Sequence, residues 1–214
     1  MWQKCNDLIQ KAYELDETDF WVQMSLARNK GFYDYDWKDL RTISKQSIEL
    51  YPGLAYSHNL YAMISIGAGQ VNEAIKAMKV CLELDPFSIM HNSMLGFYLI
   101  CANQFDQAIS QLQKTLELAP NDPHVLAMLA YADAGKGIYD EGIKNLQPFK
   151  NIPIFGSILG YLWAKAGSKE EARQILSDIL DRSKRGYFSV YYTSYVYTGL
   201  GDQDNAFEQI ERVY

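Results

Sequence analysis

Three prolines, Pro52, Pro86 and Pro120, stand 34 residues apart, and each closes a near-copy of one segment: SIELYP, CLELDP and TLELAP. Twelve residues before them come Leu40, Ala74 and Ala108, and one further step of 34 reaches Gly142. An aromatic or apolar residue lies three positions before each of these: Trp37, Val71, Phe105 and Tyr139. The register then shortens, with Ala172 following Gly142 by 30 and Ala206 following Ala172 by 34. A period of this length is the signature of stacked units, each packed on its neighbours, and not of one closed core.

Each unit reads as two helices. In VNEAIKAMKVCLELD the apolar residues Val71, Ala74, Ile75, Met78, Cys81 and Leu82 fall at helical spacing and give one buried stripe. In SIMHNSMLGFYLICA apolar residues are too frequent for one face, so that helix is expected to be buried on two sides. GAGQ (67–70), AGKG (134–137) and GLGD (199–202) suit left-handed helix ends. DP at 85–86 and NDP at 121–123 put a proline at or near the start of the next helix. Ser168 with Glu171 spells a capping box. Gly142 replaces the small alanine of the other copies, and Pro148 falls inside the second helix of its unit. A shortened, distorted helix is expected there.

A 34-residue helix–turn–helix period resembles the tetratricopeptide repeat. Ala74, Ala108 and Ala172 match the small residue where the two helices of a unit cross, and Leu95–Gly96 and Leu159–Gly160 match the paired position in the first helix. The resemblance implies an all-α fold, a right-handed α–α superhelix of about thirteen helices with five complete repeats and partial repeats at both ends. The expected spans are a half repeat at 1–16, then 18–50, 54–84, 88–118, 122–150, 153–182 and 187–214, forming a single solenoid over 1–214. The chain begins in mid-unit and ends without a polar capping helix, so it is expected to be a fragment of a longer protein. The run YTGLGDQDNAFEQIERVY (197–214) also resembles the terminal repeat of bacterial signalling proteins, and YDYDWKDL (33–40) resembles the start of a unit in the same tails. Those proteins carry a repeat tail behind a winged-helix, adenylate cyclase or kinase domain. No stretch of this chain resembles the effector domains.

In the family, binding residues lie on the first helix of each pair. Carried over by register, the positions are Ser25, Asn29 and Tyr33; Tyr56, Asn59, Leu60 and Met63; Met90, Ser93, Met94 and Phe97; His124, Ala127, Met128 and Tyr131; Ser157, Ile158, Tyr161 and Lys165; and Phe188, Tyr191, Tyr192 and Tyr195. The expected partner-binding set is Tyr56, Asn59, Met63, Met94, Phe97, Tyr131, Tyr161, Tyr191 and Tyr195. Only Asn29, Asn59 and Lys165 are candidates for holding a terminal carboxylate, so a carboxylate clamp is not expected. Met and Tyr suit an apolar or aromatic segment laid in a groove. The competing reading is that these side chains pack between units, and a third is that another domain of the same protein covers them. Tyr191, Tyr192, Tyr195 and Tyr197 are too many for one helix face to bury.

Other chemistry is not expected. His58, His91 and His124 recur every 33 residues, one short of the repeat, and no convergent ligand set accompanies them. No catalytic residue, metal site, cofactor or phosphate cradle is expected, and the chain is read as a non-enzyme. Net charge is −6, and the densest basic run is RSKR (182–185), which makes direct nucleic-acid binding a poor fit. Cys5, Cys81 and Cys101 are read as buried free thiols of a reducing compartment. No apolar run of about 18 residues is present, and MWQKCNDLIQ has no apolar signal core. The expected location is the cytoplasm, or the periplasm if a membrane segment precedes the chain. Partners are a protein or peptide, with self-association through open solenoid ends as a further route. A stand-alone adaptor or chaperone-like assembly factor is the alternative to a regulatory tail.

Overall fold

The computed structural model describes residues 2–33, 37–186 and 189–212, with side chains left aside at 2, 3, 27, 28, 30–33 and 37–39. Thirteen α-helices and two short 3-10 turns make up the described residues, and no strand occurs among them. The chain divides into two compact units, 1–102 and 103–214. The first holds α1 (Trp2–Leu15), α2 (Phe20–Tyr33), α3 (Trp37–Leu50), α4 (Ala55–Gly67), α5 (Val71–Leu84) and α6 (Ile89–Cys101). The second holds α7 (Phe105–Leu118), α8 (Pro123–Gly135), α9 (Asp140–Leu146), α10 (Pro153–Lys165), α11 (Lys169–Lys184), α12 (Thr193–Leu200) and α13 (Gln203–Glu211). A 3-10 turn at Gln147–Phe149 follows α9, and another at Val190–Tyr192 precedes α12.

The periodic small residues lie at the helix crossings. Ala74, Ala108 and Ala172 are wholly buried, and Leu40, the first copy's equivalent, is too. A Cβ on Gly142 would come within 2.7 Å of the Ala130 Cβ, so even alanine is too large at that crossing. The turns repeat with the same steps. Left-handed backbone occurs at Gly69, Asn103, Gly137, Gly167 and Gly201, in steps of 34, 34, 30 and 34. Asn103 takes a glycine's place because its short polar side chain tolerates φ of 56°.

Helix α5 buries one stripe, Ala74, Ile75, Ala77, Met78 and Cys81, whereas α6 buries residues all round, from His91 to Leu99. In the first unit Phe20, Met24, Leu40, Leu60 and Ile64 form a core. In the second, Leu146, Leu159 and Leu162 centre one cluster, and Ala172, Ile179 and Val196 another. Each fully buried Leu or Ile contributes about 1.5–3 kcal/mol relative to exposure.

Several local expectations need correction. Ser168 precedes α11 but its side chain accepts no capping bond. Its ψ of 71° differs from the extended 111° and 118° of Ser88 and Asp122, which do cap α6 and α8. Pro123 opens α8, but Pro86 lies in the turn three residues before α6. Only Cys81 is buried; Cys5 and Cys101 are exposed. His91 does have a carboxylate beside it, with Nδ1 3.3 Å from Asp85 Oδ2. His58 meets the Pro52 carbonyl at 2.8 Å, and the ring of His124 lies against Phe155. The distorted helix at Pro148 is present: α9 has seven residues and passes into the 3-10 turn that contains the proline.

Candidate partner-binding site

Helices α8, α10 and α12 of the second unit are first helices of their pairs, and α10 packs against both of the others. Missing side chains set how closely they approach. A Cβ on Gly160 would sit 2.8 Å from Val196 Cγ2, and one on Gly199 would sit 2.9 Å from the Tyr161 carbonyl oxygen. The small residues therefore draw α12 onto α10 and bring Tyr195 towards the tyrosines of the neighbouring helices.

The result is a chain of five rings. Tyr131 of α8 lies 5.7 Å from Tyr161 of α10 and 6.4 Å from Tyr195 of α12, centroid to centroid. Tyr195 meets Tyr191 edge-on at 5.9 Å, and Tyr191 meets Tyr192 at 6.0 Å. These offset and edge-to-face geometries are the favoured ones for aromatic pairs. Tyr131, Tyr161 and Tyr195 are half-buried and Tyr191 is exposed, so the chain runs from the interior to the surface. The hydroxyl oxygen of Tyr131 is buried and meets no hydrogen-bond partner among the described residues.

Burial keeps the phenols of Tyr131, Tyr161 and Tyr195 neutral. Burial, followed by the nearby Tyr195, Tyr161 and Tyr191, pushes Tyr131 well above the usual phenol range. Burial and a hydrogen bond with Tyr191 push Tyr195 up to about 12, and burial also raises Tyr161. The face thus offers ring area and hydroxyl tips without charge. It matches apolar or aromatic side chains and single polar groups of a bound chain.

The first-unit candidates do not assemble in this way. Tyr56 turns to Trp21 and Phe20, with centroids at 5.0 and 6.3 Å, and both it and Met63 pack on the Phe20–Leu40–Leu60 core. Both are half-buried, so each packs on this core with part of its side chain still exposed. Asn59 is half-buried, with a side-chain oxygen that meets no donor among the described residues. On α6, Met94 is half-buried, and Phe97 is 44% exposed with its ring tilted against Tyr98. Several other register positions belong to the core: Leu60, Ser93, Ala127, Ser157 and Ile158 are buried, as is Asn29, which donates to Asn6 Oδ1 at 2.7 Å. The side chains of Tyr33 and Trp37, and residue Phe188, lie outside the described residues.

A feature not foreseen from the sequence is a cleft of about 360 Å³ between the 3-10 turn at 147–149 and α11, floored by Leu159, Trp163 and Ile175 and edged by Lys150, Glu171 and Asp178. It lies beside the 3-10 turn into which α9 passes and which contains Pro148.

Residues 55–88, which hold α4, α5 and the turn after them, match the sequence model of the family described as Tetratricopeptide repeat. That stretch is similar to one tetratricopeptide repeat. Among solved structures, the chain is similar to YrrB, described as a TPR protein with an unusual peptide-binding site, at 19% identity and a TM-score of 0.58, covering 81% of this chain and 91% of that one. It is similar to MamA 41-end from Desulfovibrio magneticus RS-1 at 16% identity and a TM-score of 0.64, covering 78% and 98%. The APC/C hetero-tetramer Cut9-Hcn1 gives a TM-score of 0.73 at 16% identity over 98% of this chain and 42% of that one. Among the curated proteins no sequence matches. What these likenesses show is an all-α superhelical repeat fold. Tyr131, Tyr161 and Tyr195 lie on α8, α10 and α12, and Tyr191 lies in the 3-10 turn before α12. No helix among the described residues is long and apolar enough to cross a membrane.

Proposed function

We propose that the chain is a protein-interaction scaffold that takes an apolar or aromatic peptide segment on the tyrosine face of α8, α10 and α12. The observation that carries this reading is the ring chain Tyr131–Tyr161/Tyr195–Tyr191, which runs from the interior to the surface. A bound chain would supply the outer rings with apolar contact. The overall charge of −6 argues against a nucleic-acid partner. The test is to select peptides on the full chain from a random display library and titrate them calorimetrically. Tyr191→Ala, at an exposed position, and Tyr161→Ala/Tyr195→Ala are expected to weaken binding by about tenfold or more. Selected peptides that bind all three proteins equally, with helical content unchanged, would sink the reading.

The resemblance of 197–214 to terminal repeats of bacterial signalling proteins supports a setting for this scaffold: the regulatory or sensory tail of such a protein or of a transcriptional regulator, in the cytoplasm. The upstream gene sequence decides it. An in-frame winged-helix, cyclase or kinase domain is the expected result, and a stop codon directly upstream would instead favour a stand-alone adaptor.

A further inference from the structure

In residues 1–102 consecutive helices run antiparallel, so the turns from α1 to α2, α3 to α4 and α5 to α6 share one end of the helix pairs. The unit's exposed apolar side chains crowd at that end. Leu15 is 88% exposed, Leu50 63% and Leu84 42%, and each is the last residue of its helix. Beside them stand Trp21 at 55%, Phe87 at 78% and Met90 at 54%. Phe20 touches Tyr51 at 4.6 Å and Trp21 touches Tyr56 at 5.0 Å, which joins the first two turns into one aromatic patch. The α7–α8 and α9–α10 turns of the other unit expose one large apolar side chain each, Leu118 and Ile152. The enrichment is therefore local and not a property of every repeat turn. Soluble chains seldom gather this much exposed apolar surface without a use for it.

Charge on the same rim selects what could cover it. Residues 14–21, 49–56 and 83–90 read ELDETDFW, ELYPGLAY and ELDPFSIM, with seven carboxylates and no Lys or Arg. The last turns of α1, α3 and α5 hold no basic residue. Asp16 is taken up by Thr18, Asp19 caps α2 at Val22, and Asp85 lies beside His91. Glu14, Glu17, Glu49 and Glu83 have no basic partner among the described residues. We infer that this rim is a second docking surface, separate from the tyrosine face, and that it takes a basic amphipathic segment of a partner protein. The segment's apolar stripe would cover the leucines, Phe87 and Met90, while its Lys and Arg side chains meet the unpaired glutamates. The same carboxylates repel an anionic lipid surface.

The full chain is tested with a synthetic amphipathic helical peptide of leucine and lysine, and with its counterpart carrying glutamate for lysine, by fluorescence anisotropy. The lysine peptide is expected to bind and the glutamate peptide not to. Phe87→Ser/Met90→Ser and Glu49→Lys/Glu83→Lys are each expected to weaken binding about tenfold or more. Charge reversal in the second unit, Glu170→Lys/Asp181→Lys, and Tyr191→Ala/Tyr195→Ala are expected to change it less than about twofold. The substituted rim side chains are exposed, and helical content checks that every variant is folded. The inference is overturned if the rim variants bind like the parent chain, or if the second-unit reversal weakens binding as much. It is overturned too if vesicles of phosphatidylglycerol bind the rim while the lysine peptide does not, or if the rim variants dissolve a dimer in a chain that ignores the peptide.

Discussion

The Tyr131 hydroxyl is buried without a partner among the described residues while its ring is packed between two others, and the two halves of the side chain should answer differently to substitution. Leaving a buried polar group unsatisfied costs about 1–3 kcal/mol, so removing it should not destabilise. Tyr131→Phe is expected to hold or raise stability in urea unfolding, whereas Tyr131→Ala is expected to lose about 3–5 kcal/mol through lost ring burial and a cavity. If Tyr131→Phe unfolds as easily as the alanine variant, the hydroxyl has a partner that this picture lacks. Counting from the repeat prolines places Tyr131, Tyr161 and Tyr195 on successive first helices, and the structure brings their rings together. The same counting places Tyr56 there, yet Tyr56 packs on Trp21 and Phe20. Register fixes the face of a helix a residue occupies. Whether that face is covered depends on which side chains the neighbouring helix presents, and those lie some 35 residues away in sequence.

At the scale of elements, caps and crossings make the sharper tests. Ser168 and Asp122 both precede helices, but only Asp122 accepts bonds, from the His124 and Val125 amides at 2.9 and 3.1 Å. Asp122→Ala is therefore expected to cost about 1 kcal/mol and Ser168→Ala only a few tenths, measured by thermal unfolding. Equal losses would mean that Ser168 caps after all. The S-x-x-E pattern misled because it specifies residue types and not ψ. Asp202, at a similar ψ of 79°, still caps Asn205 because its side chain reaches one atom further than serine's. At the crossings, Gly142→Ala would drive a Cβ to within 2.7 Å of Ala130, and Gly156→Ala would press one onto the Lys150 carbonyl. Each should cost about 1–3 kcal/mol, while Gly67→Ala, with open space around it, should be neutral or slightly stabilising. A neutral Gly142→Ala would show that α8 and α9 shift freely. The sequence marks Gly142 as a departure from the repeat's alanine; the reason, an opposing Ala130 and Leu162, becomes visible only in three dimensions.

Over the whole molecule the buried phenols act together. Burial is the first cause of the upward shift at Tyr98, Tyr131, Tyr161, Tyr195 and Tyr197, with Tyr98 and Tyr195 reaching about 12 from an ordinary 10.0. Below pH 10 these groups are protonated in both folded and unfolded chains and give stability no slope. Above it the unfolded chain releases protons that the folded chain retains, so the unfolded state binds fewer and stability falls with rising pH. The loss from these groups should begin near pH 10 and continue towards 12. Cys81, raised by burial from 9.0 to about 11, starts the decline about one unit earlier. The urea midpoint is expected to be insensitive to these groups up to about pH 9 and then to drop steeply, while tyrosinate absorbance of the folded chain lags behind that of the urea-unfolded chain. The phenols span both compact units, Tyr98 in one and the other four in the second. Tyr98→Phe should make the decline shallower. A folded chain that shows full tyrosinate absorbance at pH 10.5 with an unchanged urea midpoint would overturn this account of the buried rings.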